Sequence, residues 1–245
     1  MKIIFRKIKT IISIILLKFG YKIIKKNPKI VEMSSWENEI LKISLDYSMT
    51  PKIRMWFLLK TFYYIQKKQI EGAFVETGIW KGGNLILIKK LLNKHKLNMA
   101  IFGFDTFEGM INPTQHDFKI FSGEKANSTI KKKKDWNKAT LENVKYNILN
   151  TCGNLTDIHL VEGDVSVTLK ITKLPEKISI LRLDTDFYES TKIALEILYP
   201  RLMEGGVLII DDYGNWSGAK KAVDEYFGKN RDLFLIDEDS RFIIK

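Results

Sequence analysis

Apolar residues in this chain gather into short runs that alternate with longer stretches at helical spacing. After Pro51, the positions Ile53, Trp56, Phe57 and Phe62 predict a helix over Ile53–Gln66. Ala73–Gly78 is a short apolar run closed by an acid and a glycine, which predicts a buried strand. Helix Leu85–Leu97 and strand Met99–Phe104 follow, and then a long polar loop, Met110–Asn137. A helix near Ala139–Leu149, strand Asp157–Glu162, a short helix over Val165–Ile171 and strand Ile178–Leu183 resume the alternation. Helix Ser190–Tyr199 stops at Pro200, because proline disfavours helix in the residue before it. Strand Val207–Ile210, helix Ala219–Phe227 and the runs Leu233–Ile236 and Arg241–Ile244 complete the series. Only four residues separate the last two runs, too few for a parallel crossover, so they predict an antiparallel hairpin. Five βα units and a hairpin predict an α/β fold, a doubly wound and mostly parallel sheet. Ligands bind such sheets at the strands' carboxyl ends, where strand order reverses. Four of the predicted strands end in or run into acids there: Glu76, Asp105, Asp184, and Asp211 with Asp212.

Charge changes this picture once it is located. The formal net charge is +11, yet residues 1–29 hold nine cations and no acid, so the remainder is nearly neutral. No stripe of arginines alternating with aromatics accompanies it, which argues against a nucleic-acid partner. On a helical wheel Phe5, Ile8, Ile12, Ile15, Leu16 and Phe19 share one face, and Lys2, Arg6, Lys9 and Ser13 the other. The longest uncharged stretch, Thr10–Leu17, is far short of the roughly 20 residues that span a bilayer. Such a helix fits an anionic membrane surface, and fits equally well packing on the domain or on a second subunit of a homodimer. The expected organisation is a basic amphipathic segment over 1–29, a helical lead-in that covers the ligand over 30–71, and the main domain over 72–245. One cysteine, Cys152, excludes an internal disulfide framework and suits a reducing, cytoplasmic setting.

Three motifs, together with Asp105, carry the chemistry. Glu76-Thr-Gly-Ile-Trp-Lys-Gly-Gly83 turns a strand into a helix through glycines, departing from the dinucleotide fingerprint by its Gly-x-x-x-Gly-Gly spacing. Its acid suits a ligand with an ammonium group, and a tight structural turn explains it equally well. Asp105 after the second strand is placed to accept hydrogen bonds from ribose hydroxyls. Leu181-Arg-Leu-Asp-Thr-Asp186 and Val207-Leu-Ile-Ile-Asp-Asp-Tyr-Gly214 each run a strand into paired carboxylates. Such anions on adjacent strand ends repel unless a cation or a shared proton offsets them. Oxygen ligands alone suggest a hard ion such as Mg²⁺. His95, His116 and His159 have no ligand spacing.

These segments resemble the macrocin O-methyltransferase family, from about Tyr47-Ser-Met-Thr50 to about Phe227. The likeness rests on Phe74-Val-Glu-Thr-Gly-Ile-Trp-Lys-Gly-Gly83, Phe104-Asp-Thr-Phe-Glu-Gly109, Leu181–Thr191, Tyr199-Pro-Arg-Leu202 and Asp211-Asp-Tyr213. The resemblance implies a seven-stranded class I methyltransferase fold, S-adenosylmethionine as methyl donor, and Mg²⁺ held by Asp184, Asp211 and Asp212. It places Glu76, Thr77, Gly78 and Gly83 around the methionine end, Asp105 and Thr106 at the ribose, and Gly163, Asp164 and Val165 by the adenine. Met49 and Thr50 would close over the donor, and Asp184, beside it, is the expected general base. Asp186, Tyr188 and Tyr213 would meet the acceptor, a hydroxyl of a sugar in a glycan or glycosylated metabolite, beneath the loop Met110–Lys138. Lys81 and Asn84 depart from the family's usual Arg and Ser or Ala. A catechol-like acceptor, a nicotinamide-dependent oxidoreductase and a non-catalytic membrane-surface scaffold are the alternatives.

Overall fold

The computed structural model describes residues 12, 14–20, 30–132, 137–228 and 232–245. It divides into two units, Met1–Met33 and Ser34–Lys245. In the first, residues 12 and 14–18 are helical, with Ile12, Ile14, Ile15, Leu17 and Phe19 exposed. Of the amphipathic face expected there, Leu16 is half-buried, and Phe5 and Ile8 lie outside the described residues.

The second unit opens with α1 (Ser35–Leu45) and α2 (Lys52–Lys68). Ser34 and Glu37 form a capping box that starts α1, each side chain bonding the other's backbone N–H. Then come β1 (Ala73–Thr77), α3 (Gly83–His95), β2 (Ile101–Asp105), α4 (Ala126–Lys132), α5 (Leu141–Cys152) and β3 (Ile158–Glu162). The chain continues with α6 (Val165–Ile171), β4 (Ile178–Leu183), α7 (Tyr188–Leu198), β5 (Leu202–Ile210), α8 (Ser217–Phe227), β6 (Phe234–Leu235) and β7 (Arg241–Ile244). The strands form one sheet in the order β3-β2-β1-β4-β5-β7-β6. All neighbours are parallel except β7, which runs antiparallel to both β5 and β6. The doubly wound sheet and the terminal hairpin are therefore as expected, and strand order reverses between β1 and β4.

Two expectations need correction, and the core side of α2 emerges only in the structure. The inward face of α2 is Met55, Leu58, Leu59, Phe62 and Ile65, whereas Ile53, Trp56 and Phe57 are half-buried. The helix is apolar nearly all round, so spacing alone does not single out its core side. The loop Met110–Asn137 contains α4, whose Ala126 packs with Phe187, Trp216 and Ala219 in a small satellite core. Strand β5 begins at Leu202, five residues before its apolar run, across a register shift opposite Ile178–Ile180.

Alternation along the strands sorts the interior. Val75, Leu181, Leu183, Leu208 and Ile210 face a core closed by Leu195 and Leu198 of α7 and Val223 of α8. The intervening positions, Glu76, Arg182 and Ile209, point to the other face. Register sets Glu76 opposite Arg182 across β1–β4, and Arg182 opposite Ile209 across β4–β5. Two residues further on, Asp184 and Asp211 continue that face beyond the strand ends.

Candidate active site

At the switch point the turn after β1 is built around Gly78. Its φ is +80°, and a Cβ there would lie 1.8 Å from the Asp184 carbonyl oxygen, so only glycine lets β1 and β4 end so close together. Gly83 serves packing instead: a Cβ would meet the Ser44 carbonyl and Ser48, and its N–H donates to the Tyr47 carbonyl at 3.0 Å. Asp105 organises the turn, its Oδ2 accepting from the N–H groups of Ile79 and Trp80 and its Oδ1 from that of Phe107. Those bonds hold Trp80 at φ +46° and Phe107 at φ +55°, conformations that L-residues rarely adopt. Burial raises the Asp105 carboxyl above its usual range, against the pull of these donors.

A cleft of about 620 Å³, open to solvent, lies over this turn. Of the residues expected to bind, Met49, Gly78, Asp105, Thr106, Asp164, Val165, Asp184 and Asp186 line it. Trp80, Gly109, Met110, Ile111, Asn137, Thr185 and Ser190 complete the wall. Met110, Ile111 and Asn137 belong to the loop expected to cover the acceptor. Glu76, Thr77, Gly83, Gly163, Tyr188 and Tyr213 are not in the lining. Tyr188 turns its hydroxyl to Glu225 at 2.6 Å, and Tyr213 donates to Asp224 at 2.9 Å. Both tyrosines are thus drawn to α8 by carboxylate acceptors rather than held out to an acceptor substrate.

Beneath the cleft is a charge cluster in which the guanidinium of Arg182 is central and fully buried. It pairs with Glu76, with Asp184 at 2.7 Å and with Asp211 at 2.6 Å, and it donates to the Thr50 hydroxyl at 3.1 Å. Burial opposes its charge, but Asp184, Asp211 and Glu76 outweigh that and hold its pKa above the ordinary value. Asp184, Asp211 and Asp212 each offer a carboxylate oxygen within 4.8 Å of the others. Asp212 accepts the Asp186 N–H at 3.1 Å, which keeps Asp186 at φ +61°. Burial pushes Asp184 up to about 6 against the pull of Arg182, and burial with the charge of Asp184 pushes Asp186 up to about 7. Burial, then Asp186 and Asp184, raise Asp212 well above the carboxylate range. Glu76, Asp184, Asp186, Asp211 and Asp212 thus outnumber the buried cations near them. An excess of hard oxygen donors is the chemistry that suits Mg²⁺ or a similar ion.

The turn also has acceptors without donors. Glu76 Oε2 and Asn84 Oδ1 are buried with no hydrogen-bond partner, although Asn84 donates to Glu76 Oε1 at 2.8 Å. Buried acceptors left unmatched cost free energy unless a ligand supplies the donor. An ammonium group is such a donor, so the residues present fit an amino-acid-bearing ligand.

Arg182, Arg54, Trp80 and Ser190 were not anticipated. Arg182 had a signal, being the one charge within Ile178–Leu183, an otherwise buried strand that must supply it with partners. Trp80 and Ser190 carried none.

Comparison with known proteins agrees with this geometry. The family model for macrocin-O-methyltransferase (TylF) matches residues 18–243. Demethyldecarbamoylnovobiocin O-methyltransferase of Streptomyces niveus is 30% identical over 177 residues, covering 69% of this chain and 64% of that protein. The 8-demethyl-8-(2,3-dimethoxy-alpha-L-rhamnosyl)-tetracenomycin-C 4'-O-methyltransferase of Streptomyces olivaceus is 33% identical over 165 residues, 65% of this chain and 59% of that one. The chain therefore spans less than two thirds of the length of the curated relatives it matches. The solved structure of the O-methyltransferase NovP superposes with a TM-score of 0.72 at 26% identity, covering 90% of this chain and 92% of that one. A calicheamicin methyltransferase shares the fold at a TM-score of 0.55.

Proposed function

The chain belongs to the macrocin-O-methyltransferase family, and from that premise we propose that it methylates a hydroxyl with S-adenosylmethionine as donor and a divalent metal as helper. The observation that carries the reading is the convergence of the donor cleft and the triad of carboxylates Asp184, Asp211 and Asp212 at one strand-end site. S-adenosylmethionine supplies an electrophilic methyl group. A hard cation beside the acceptor lowers the pKa of the hydroxyl that attacks it.

The chain's own residues position and deprotonate. Glu76 and Asn84 would present their bare acceptors to the ammonium of the donor, with Asp105 at its ribose and Asp164 and Val165 by the adenine. Met49 lies over the cleft, while Thr50 beneath it accepts from Arg182 and Asn84. Asp184, Asp211 and Asp212 would hold the cation. For the proton, Asp184 is the base expected from sequence, but its Oδ2 already pairs with Arg182 at 2.7 Å. Asp186, at the same strand end and in the cleft wall, pairs with no arginine among the described residues; its carboxyl meets the side chains of Asp212 and Trp216 instead. That difference favours Asp186 as proton acceptor and Asp184 as metal acid.

The acceptor is a sugar hydroxyl. Support comes from one relative's name, which specifies a rhamnosyl-bearing compound, and from a cleft wall that mixes Asn137 and Ser190 with Met110 and Ile111. The experiment is transfer of labelled methyl from S-adenosylmethionine to a panel of rhamnosides and related glycosides, with Mg²⁺ or with EDTA. Labelled sugar ether in Mg²⁺ alone is the expected result; labelling of catechols but not sugars would move the reading to a phenolic acceptor. The basic segment at the N-terminus is proposed to rest on an anionic membrane surface. Among the described residues, no helix is long and apolar enough to cross a membrane.

A further inference from the structure

Arg54 stands in the first turn of α2 and is 9% exposed. A cation there opposes the helix macrodipole. It also heads the buried stripe that Leu58, Phe62 and Ile65 continue, where a charge costs desolvation. Against both local preferences, its fork is fully engaged. Nη1 reaches Asp211 Oδ2 at 2.7 Å, Nε reaches Asp237 Oδ2 at 2.6 Å and Nη2 reaches Asp239 Oδ2 at 2.8 Å. Arg182 holds the other oxygen of Asp211 at 2.6 Å, so two guanidiniums fix the rotation of that carboxylate.

The turn between β6 and β7 that supplies Asp237 and Asp239 is itself fastened on both sides of Asp211–Asp212. The Ser240 hydroxyl donates to the Ile210 carbonyl at 3.0 Å, just before the acid pair. Gly214 N–H donates to the Asp239 carbonyl at 2.7 Å, just after it. Glycine is required at 214, because a Cβ would lie 2.2 Å from the Glu238 carbonyl oxygen. Asp237 Oδ1 accepts the N–H groups of Asp239 and Ser240, which sets the turn's own shape.

On the metal-assisted reading above, we propose that Arg54, braced by Asp237 and Asp239, is a positioning residue for the metal. It aims Asp211 so that its remaining lone pairs converge with those of Asp184 and Asp212 on one cation. This gives the terminal hairpin a part in the active site although no residue of it lines the cleft.

Lysine keeps the charge of Arg54 but cannot span three carboxylates with a planar fork. Loss of the partners that orient metal ligands typically costs about 10- to 100-fold in metal affinity. The test is Mn²⁺ binding to the full chain, followed by electron paramagnetic resonance, in the unaltered protein and in Arg54→Lys. We expect the variant to bind Mn²⁺ about tenfold or more weakly. Its affinity for S-adenosylmethionine should be unchanged, and its turnover should recover as Mg²⁺ is raised. A purely architectural arginine would lower the melting temperature without separating metal from donor affinity. Equal Mn²⁺ affinity in the two proteins would overturn the inference alone. No Mn²⁺ binding by the unaltered protein would overturn the metal reading and the inference with it. If Arg54→Lys does not fold, Asp239→Asn at the exposed end of the fork replaces it. A smaller weakening in the same direction is expected there, and unchanged affinity counts against the proposal.

Discussion

Asp184 and Asp186 are two residues apart, yet the structure gives them different partners and hence different work. Asp184 leans on Arg182, whereas Asp186 is held by a backbone bond to Asp212 and faces the cleft. Asp184→Asn is therefore expected to abolish turnover and weaken Mn²⁺ binding while leaving S-adenosylmethionine binding nearly intact. Asp186→Asn should lower kcat by about 100-fold or more, the usual contribution of a positioned base, with both bindings kept. Single-turnover kinetics and metal titration of the two variants check this, and wild-type-like turnover by Asp186→Asn would return the proton to Asp184. The acids were legible in the sequence because each follows an apolar run, and a strand's end tells where its next residue sits. Arg182 stood out as a lone charge in a buried strand, but its partners and those of Arg54 were not legible. Those depend on cross-strand register and on a helix laid over the sheet, neither of which spacing along the chain encodes.

At the scale of elements, the strand–helix series is legible because its periodicities differ, and it fails where periodicity is weak. Helix α2 is apolar almost all round, so its inward side is set by what it meets, with Arg54 and Met55 turned to the sheet. The loop after β2 is polar in sequence, yet Asp117 buries itself and ties it down. Asp117 Oδ2 accepts from the Thr114 N–H at 2.6 Å, and Oδ1 accepts from the Tyr188 N–H at 2.8 Å. Phe187 provides no side-chain cap for α7, so Asp117 caps that helix from across the chain. One carboxylate thereby links the loop after β2 to the helix that follows Asp184 and Asp186. Asp117→Ala should cost about 2 kcal/mol in urea unfolding, as loss of a cap with its buried bonds does. It should also raise the KM for the acceptor more than that for S-adenosylmethionine; equal effects on the two would argue against a link to acceptor binding.

For the whole molecule, charge separates into a basic N-terminal segment and a nearly neutral remainder whose strand ends concentrate acids. The basic segment was legible as composition, and its described part leaves Ile12, Ile14, Ile15, Leu17 and Phe19 exposed. Removing residues 1–29 is expected to abolish sedimentation with anionic liposomes and to leave methyl transfer to a water-soluble glycoside intact. Unchanged sedimentation would place the membrane contact elsewhere. The sheet order places β1 beside β4, and from that single crossing follow the glycine turn, the buried Arg182 and the metal acids. Donor binding is therefore the central expectation. Calorimetric titration of S-adenosylmethionine into the full chain, first with Mg²⁺ and then with EDTA, tests it most directly. Saturable binding of one equivalent is expected in both conditions, because Gly78, Asp105, Thr106 and Asp164, none of them among the three carboxylates assigned to the metal, line the donor cleft. No heat of binding in either condition would contradict it.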